Sequence, residues 1–352
     1  MSREFIYSGS PAHIIFGEGK SAAAGEWVEK LGCARALVLS TPQQKADAEA
    51  LAARLDSLAV DVFADAVMHT PVGVTEEAME VVRLLKADCV ISLGGGSTTG
   101  LGKAIAYRTD LPQIVIPTTY AGSEVTPILG QTEGGRKTTV RHASILPEVV
   151  IYDPVLTLGL PVGMSVTSGL NAMAHAVEAL YAEDRNPIST LMAAEGLRAF
   201  KTSLLDIVAM PKAADARADA LYGAWLCGTV LGTVGMALHH KICHTLGGTF
   251  DTPHADTHAI MLPHTAGYNA VAVPKLLAPV ADIFGGSVGG GLWDFARQIG
   301  APLALKDLGL SEADLDRAAG IATENPYWNP RPIDRQSIRA LLQDAWEGKR
   351  PA

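Results

Sequence analysis

Cys89-Val-Ile-Ser-Leu-Gly-Gly-Gly-Ser-Thr-Thr-Gly-Leu-Gly-Lys-Ala-Ile-Ala-Tyr107 reads as a strand running into a glycine turn and then into a helix. Residues 89–93 are an apolar run short enough for a buried strand, and residues 101–107 carry helical spacing. The glycines between them let backbone N–H groups approach a phosphate with no Cβ in the way. The helix that follows aims its positive end at the same place. Gly95, Gly96, Ser97 and Thr98 are therefore the candidates for cradling a dinucleotide's pyrophosphate. The pattern is neither GxGxxG nor a Walker A loop, and Lys103 stands too far along to be the lysine of the latter. The next strand, at 114–117, leads into Pro117-Thr-Thr-Tyr-Ala-Gly-Ser-Glu124. That order brings Thr118, Thr119 and Ser123 to the same crevice at the carboxyl ends of the strands. Tyr120 reads equally well as a lining residue and as a packed loop aromatic. Ser40-Thr-Pro-Gln-Gln44, after an earlier strand, lacks the acidic residue that grips an adenine ribose and repels a 2′-phosphate, so NADH and NADPH both stay open.

Outward from this stretch the first half alternates. Strands are expected at 36–40, 60–63, 89–93, 114–117 and 149–154, and helices at 22–31, 44–58 and 75–85, the last with Thr75 as its N-cap. Phe5-Ile-Tyr7 and His13-Ile-Ile-Phe16 read as a further hairpin or edge strands. Such alternation specifies a parallel sheet covered on both faces. Beyond Pro161 the spacing turns helical, at 165–182, 189–205, 213–233, 274–283, 311–322 and 334–347. Gly285-Gly-Ser-Val-Gly-Gly-Gly291 reads as a flexible loop. The expected fold is an α/β dinucleotide-binding domain with a parallel sheet over residues 1–158, followed by an all-helical substrate domain over 159–352. A ligand is expected in a cleft between the two.

The 352 residues are ample for two domains with substantial cores. Hydrophobic residues at 48% against 18% charged exclude a disordered chain. A net charge of -9 argues against nucleic acid or an anionic membrane as partner, and an acidic substrate then needs a local basic pocket. The four cysteines form no CxxC pair, which fits reduced thiols in a cytoplasmic protein. The N-terminus has no apolar signal core, and no run is long enough to span a bilayer.

Most of the ten histidines lie between 239 and 264, beginning with His239-His-Lys-Ile-Cys-His-Thr-Leu-Gly-Gly-Thr-Phe-Asp-Thr-Pro-His254. His240 and His244, four apart, project from one helix face, and His254 follows a turn at Asp251-Thr-Pro253. Such a cluster can bind a divalent metal, move protons near neutral pH or grip an anion. Lys241 lies inside it and reads equally as a functional cation and as a solvated helix lysine.

With these pieces in place the chain resembles the iron-containing alcohol dehydrogenase superfamily, of dehydroquinate synthase-like architecture, and within it the branch of maleylacetate reductases. GGGSTTGLGKA at 94–104, PTTYAGSEVTPILGQTE at 117–133 and HHKICHTLGGTFDTPHADTH at 239–258 carry the resemblance, which covers nearly the whole chain. It implies a cytoplasmic homodimer using NADH or NADPH, with Lys137 reaching the nicotinamide-side ribose. The implied reaction reduces the carbon–carbon double bond of maleylacetate, a small dicarboxylate, to 3-oxoadipate in the breakdown of aromatic compounds. Metal-dependent members carry an aspartate and three histidines as ligands, and the matching positions here are Asn171, His175, His240 and His254. Asn171 and His175 share a helix face, but a neutral amide gives up the charge that holds a hard dication, so no bound metal is expected. Imidazolium or N–H donors then replace it at the enolate oxygen. That reaction needs cationic or hydrogen-bonding groups and one acid, and His240, Lys241, His244 and His254 supply them within one segment, with His244 or His254 as proton donor. Asn171 and His175 bind substrate, and Arg331 in Asn329-Pro-Arg-Pro332 is a further carboxylate candidate. The alternatives are a metal-dependent alcohol dehydrogenase, opposed by Asn171, and a lyase resembling dehydroquinate synthase, whose ligand set includes a glutamate that these positions lack.

Overall fold

Short apolar runs bounded by turns become strands here, and the intervening amphipathic segments fold back over them as helices. The computed structural model describes Phe5, Tyr7, Gly9, residues 12–134 and residues 136–352, with the side chains of Arg136 and Lys137 outside the description. It divides into two units, Gly9–Leu160 and Pro161–Ala352. The expected strand at Phe5-Ile-Tyr7 includes Ile6, which lies outside the described residues.

The first unit runs β1 (His13–Phe16), α1 (Ala24–Lys30), β2 (Ala36–Leu39), α2 (Lys45–Leu55), β3 (Ala59–Phe63), α3 (Val72–Leu85), β4 (Cys89–Gly94), α4 (Gly96–Thr109), β5 (Gln113–Pro117), β6 (Ile128–Glu133), β7 (Arg136–Arg141) and β8 (Val149–Tyr152). Six strands form one sheet in the order β1-β8-β5-β4-β2-β3. Every neighbouring pair is parallel, so among the described residues β1 is an edge strand. Alternate residues feed opposite faces. Val38, Ile91, Ile114 and Ile151 pack with Val28, Leu51 and Leu55 on one side. Leu37, Leu39 and Val90 pack with Ala78, Val82, Leu101 and Ile105 on the other. From β2 the chain goes outward to β3 and then returns to β4 on the other side of β2. That reversal opens a crevice at the strands' carboxyl ends.

Several local expectations shift. Helix α3 starts at Val72 behind Pro71, not at a Thr75 cap; Thr75 is buried, and its hydroxyl donates to the Pro71 carbonyl at 3.3 Å. Helix α4 starts at Gly96, so Ser97 and Thr98 belong to its first turn. After the Pro117–Glu124 loop the chain makes an antiparallel hairpin, β6 with β7, that its polar composition (Gln131-Thr-Glu133, Arg136-Lys-Thr-Thr139) conceals.

The second unit contains α5 (Val162–Tyr181), α6 (Pro187–Ala209), α7 (Ala214–Thr233), α8 (Leu238–Phe250), α9 (His254–Ala270), α10 (Ala278–Phe284), α11 (Val288–Gln298), α12 (Asp314–Thr323) and α13 (Arg335–Glu347), with no strand among its described residues. The Gly285–Gly291 stretch is not a flexible loop. Ser287 caps α11 by accepting from Gly290 N, and Gly289 and Gly291 belong to its first turn. Those glycines allow close approach: a Cβ on Gly289 would lie 2.9 Å from the Pro263 carbonyl of α9 and 3.1 Å from the Gly267 Cα. Among the described residues no single helix is long and apolar enough to cross a membrane. All four cysteines are buried, and burial pushes each thiol above its ordinary value.

Replacing Gly289 with Val should therefore force α9 and α11 apart, at a cost of about 1–3 kcal/mol. Urea unfolding measures this; an unchanged midpoint would show that the contact is not tight.

Candidate active site

The glycine turn after β4 is shaped by what surrounds it. Gly94 has φ +153°, and a Cβ there would collide with Thr98 Oγ1 at 2.4 Å and approach Gln44 Oε1 at 2.9 Å. A Cβ on Gly95 would meet Thr119 Cγ2 at 2.8 Å, whereas Gly96 faces open space. Gln44 Nε2 donates to Thr118 Oγ1 at 3.0 Å, tying the loop after β2 to the loop after β5. Thr118 N in turn donates to the Gly94 carbonyl at 3.1 Å. The result is a helix N-terminus with exposed backbone at Gly96 and a half-buried Ser97 hydroxyl, a suitable seat for a pyrophosphate. Thr98 departs from its expected role: it is fully buried beneath Gly94 and directs its hydroxyl inward. Thr119 and Ser123 are half-buried, and Tyr120 is a packed aromatic. Lys103 fastens the loop from below, donating to the Ser123 carbonyl, to Thr126 Oγ1 at 2.9 Å and to the Ile128 carbonyl at 3.0 Å. Burial draws its ammonium down to about 7, and the Glu124 carboxylate opposes that shift. Lys137 sits on β7 opposite Thr132, with its side chain outside the description.

In the helical unit, Asn171, His175 and Glu178 follow one another at helical spacing on α5, and all three are buried. Helix α8 supplies His239, His240, Lys241 and His244, and α9 opens on His254 and continues to His258. The rings make a continuous wall. His240 lies 5.1 Å from His175, 5.9 Å from His244 and 5.1 Å from His258 between centroids, and His254 stacks on His258 at 4.4 Å. His244 Nδ1 is 3.3 Å from the Tyr327 hydroxyl. The Lys241 ammonium sits 5.9 Å over the ring of the same tyrosine, which is 39% exposed.

Glu178, which sequence reasoning missed, is the anchor of this wall. Its Oε2 accepts from His240 Nδ1 at 2.6 Å and from Ala237 N at 2.9 Å; its Oε1 accepts from His239 N at 2.7 Å and from the Tyr181 hydroxyl at 3.2 Å. Two of those donors are backbone N–H groups at the start of α8, so Glu178 caps that helix from a distant part of the chain. Burial alone would raise the carboxyl, but His240 and the other donors outweigh it and hold Glu178 near 2. The signal was present in Asn171-Ala-Met-Ala-His-Ala-Val-Glu178, whose polar residues share one face of an otherwise apolar helix.

The neighbouring imidazoles go the other way. Burial, reinforced by the adjacent rings, drives His175 and His258 well below the ordinary histidine value and His239 down to about 3. These three are neutral at pH 7, so of the two kinds of group expected there, imidazolium and N–H donor, they can be only the latter. His239 and His258 instead satisfy each other, Nε2 to Nδ1 at 2.9 Å. Arg331 also departs from expectation. Its guanidinium lies 3.8 Å over the Tyr268 ring and donates to the Tyr268 carbonyl at 3.0 Å, so its side chain braces α9.

The residues present do not fit a tightly held iron. Asn171 offers a neutral amide in place of a carboxylate. Asn171 Oδ1, His175 Nδ1 and His240 Nε2 are instead buried with no hydrogen-bond partner, as expected of groups that await a polar ligand.

Family models agree with this architecture. Residues 11–154 match the model for iron-containing alcohol dehydrogenases, and residues 165–346 match that for the C-terminal part of the same family. A maleylacetate reductase of Rhizobium sp. (strain MTP-10005) is 65% identical over 347 residues, covering 99% of each chain. One from Burkholderia cepacia is 51% identical over 349 residues, again with 99% of each chain covered. The crystal structure of the maleylacetate reductase from Agrobacterium tumefaciens, 64% identical, superposes with a TM-score of 0.97 over 99% of this chain and 100% of its own.

The neutral histidines make stability depend on pH. His264, outside the wall, is held down to about 4 by burial, with Asp344 partly offsetting it. Its folded value lies below the unfolded one, so the unfolded chain binds the extra proton and stability falls as pH drops from 6.5 toward 4. At pH 5 this group alone costs roughly 2 kcal/mol. His264→Gln should flatten the pH dependence of urea unfolding across that window; parallel curves for variant and parent would contradict the assignment.

Proposed function

The chain belongs to the iron-containing alcohol dehydrogenase family and has the activity of a maleylacetate reductase; we propose that protein groups, not an iron ion, bear the charge that builds on the substrate. The observation that carries this reading is the amide of Asn171 at the head of the imidazole wall. An amide can turn N–H donors toward an anionic oxygen, which a carboxylate cannot do. When bound, the reduced nicotinamide supplies a hydride to the alkene carbon remote from the ketone, and Gly95, Gly96, Ser97, Thr118 and Thr119 are the residues that hold the cofactor's phosphates.

The ketone oxygen of maleylacetate then gathers charge as an enolate, and donors already in place lower the barrier. Asn171 and His240 provide them. Glu178 accepts the Nδ1–H of His240, which fixes the ring, and donation from Nε2 to the substrate oxygen then requires the imidazolium form with a proton on both nitrogens. His244 returns the proton to carbon, and its contact with the half-exposed Tyr327 hydroxyl leads that proton in from solvent. Lys241 offsets a substrate carboxylate. Its placement over Tyr327, with no acidic partner among the described residues, favours that role over a solvated one. His175 and His254 pack the rings on either side. NADH or NADPH as reductant, a cytoplasmic homodimer and a place in aromatic-compound breakdown belong to the same reading.

Oxidation of the reduced nicotinamide, followed by absorbance with maleylacetate before and after exhaustive chelation, tests the proposal. Equal rates are expected; activity that disappears on chelation and returns with ferrous iron would sink it. In the same assay His244→Ala should lower turnover on the order of 10²- to 10⁴-fold. A loss of less than about tenfold would move the proton transfer to another group.

A further inference from the structure

Asn269 and Asn329 exchange two amide hydrogen bonds, Asn269 Nδ2 donating to Asn329 Oδ1 at 2.9 Å and Asn329 Nδ2 to Asn269 Oδ1 at 2.8 Å. Asn269 is fully buried on α9, and its Nδ2 also donates to the Tyr181 hydroxyl at 3.1 Å. Tyr181, buried too, donates onward to Glu178 Oε1 at 3.2 Å. At the other end Asn329 Nδ2 donates to the Arg331 carbonyl at 2.7 Å, and the Tyr268 hydroxyl donates to the Pro332 carbonyl at 2.5 Å. Residues 329–332 are thus fastened to α9, while residues 324–328, which carry Tyr327, are exposed.

The contact between Tyr327 and His244 is long for a hydrogen bond and cannot by itself hold an exposed loop. The position of that loop must come from its fastened end. Buried polar chains of this kind tolerate few alternative arrangements, because each displaced group would lose its partner. We propose that Asn329 is a positioning residue for the reaction. Through Asn269 and Tyr181 it sets the Tyr327 loop from Glu178, the same carboxylate that orients His240. Both sides of the substrate, the oxygen that gathers charge and the carbon that takes the proton, are then aligned from one anchor. This rests on the roles given above to His244 and Tyr327.

A double-mutant cycle of Asn329→Ala and Tyr327→Phe tests it, with kcat and KM measured for maleylacetate and NADH. Asn329→Ala should lower kcat/KM for maleylacetate about ten- to hundredfold, as expected for a displaced reacting group, with KM for NADH held within about twofold. The double variant should be no slower than Tyr327→Phe alone, since the two changes remove one function. Losses that multiply, or an Asn329→Ala rate within about twofold of the parent, overturn the proposal. If Asn329→Ala does not fold, Tyr181→Phe, which keeps the amide pair but cuts its link to Glu178, is read through the same cycle. Full rates in both His244→Ala and Tyr327→Phe would instead bring down the underlying reading. Slow rates there with a normal Asn329→Ala would bring down this inference alone.

Discussion

A carboxylate buried to 1% exposure is tolerated only where donors replace the water it has lost, and Glu178 has them on both oxygens. The backbone of Ala237 and His239 supplies the start of α8, the ring of His240 supplies the reacting wall, and Tyr181 supplies the route to α9. Each of these elements would have a different position without the charge at their centre. The helical unit is therefore organised around an anion, and its reacting groups inherit their geometry from it.

On the reading proposed above, that arrangement lets the wall do without a fixed dication. Metal-holding relatives need negative charge among their ligands, whereas this wall is made of imidazole rings and an amide, with its one carboxylate turned to the far side of His240. A dianionic substrate meets hydrogen-bond donors and the Lys241 ammonium there, and the acidic charge is kept behind them. Removing a ligand's charge and keeping the surrounding helices is enough to change what the site can hold.

Much of the first unit was legible because periodicity and physics agree there. Residues 89–93 are apolar on both faces since both faces are covered, and the glycines that follow can be little else than a close approach. The β6–β7 hairpin was not legible, because its residues are polar and its strands make no part of the main sheet. Gly285–Gly291 misled for the opposite reason: glycine was read as freedom where it serves contact between α9 and α11. In the site, His240, His244 and His254 stood out by residue type and spacing, and Asn171 through the family resemblance. Glu178, Tyr181 and Asn269 did not, since a glutamate and a tyrosine on α5 and an asparagine on α9 show their partnership only once the two helices pack. Arg331 failed on the same ground, its partner Tyr268 being invisible in the order of the chain.

The four cysteines acquire a meaning from the chemistry around them. Maleylacetate is an electron-poor alkene, the kind of compound to which thiolates add at carbon, and an enzyme that concentrates it risks being alkylated by its own substrate. Cys33, Cys89, Cys227 and Cys243 are all shielded from solvent and held as thiols by that shielding. Buried and held as thiols, these four sulfurs are poorly placed to compete as nucleophiles for the reactive substrate.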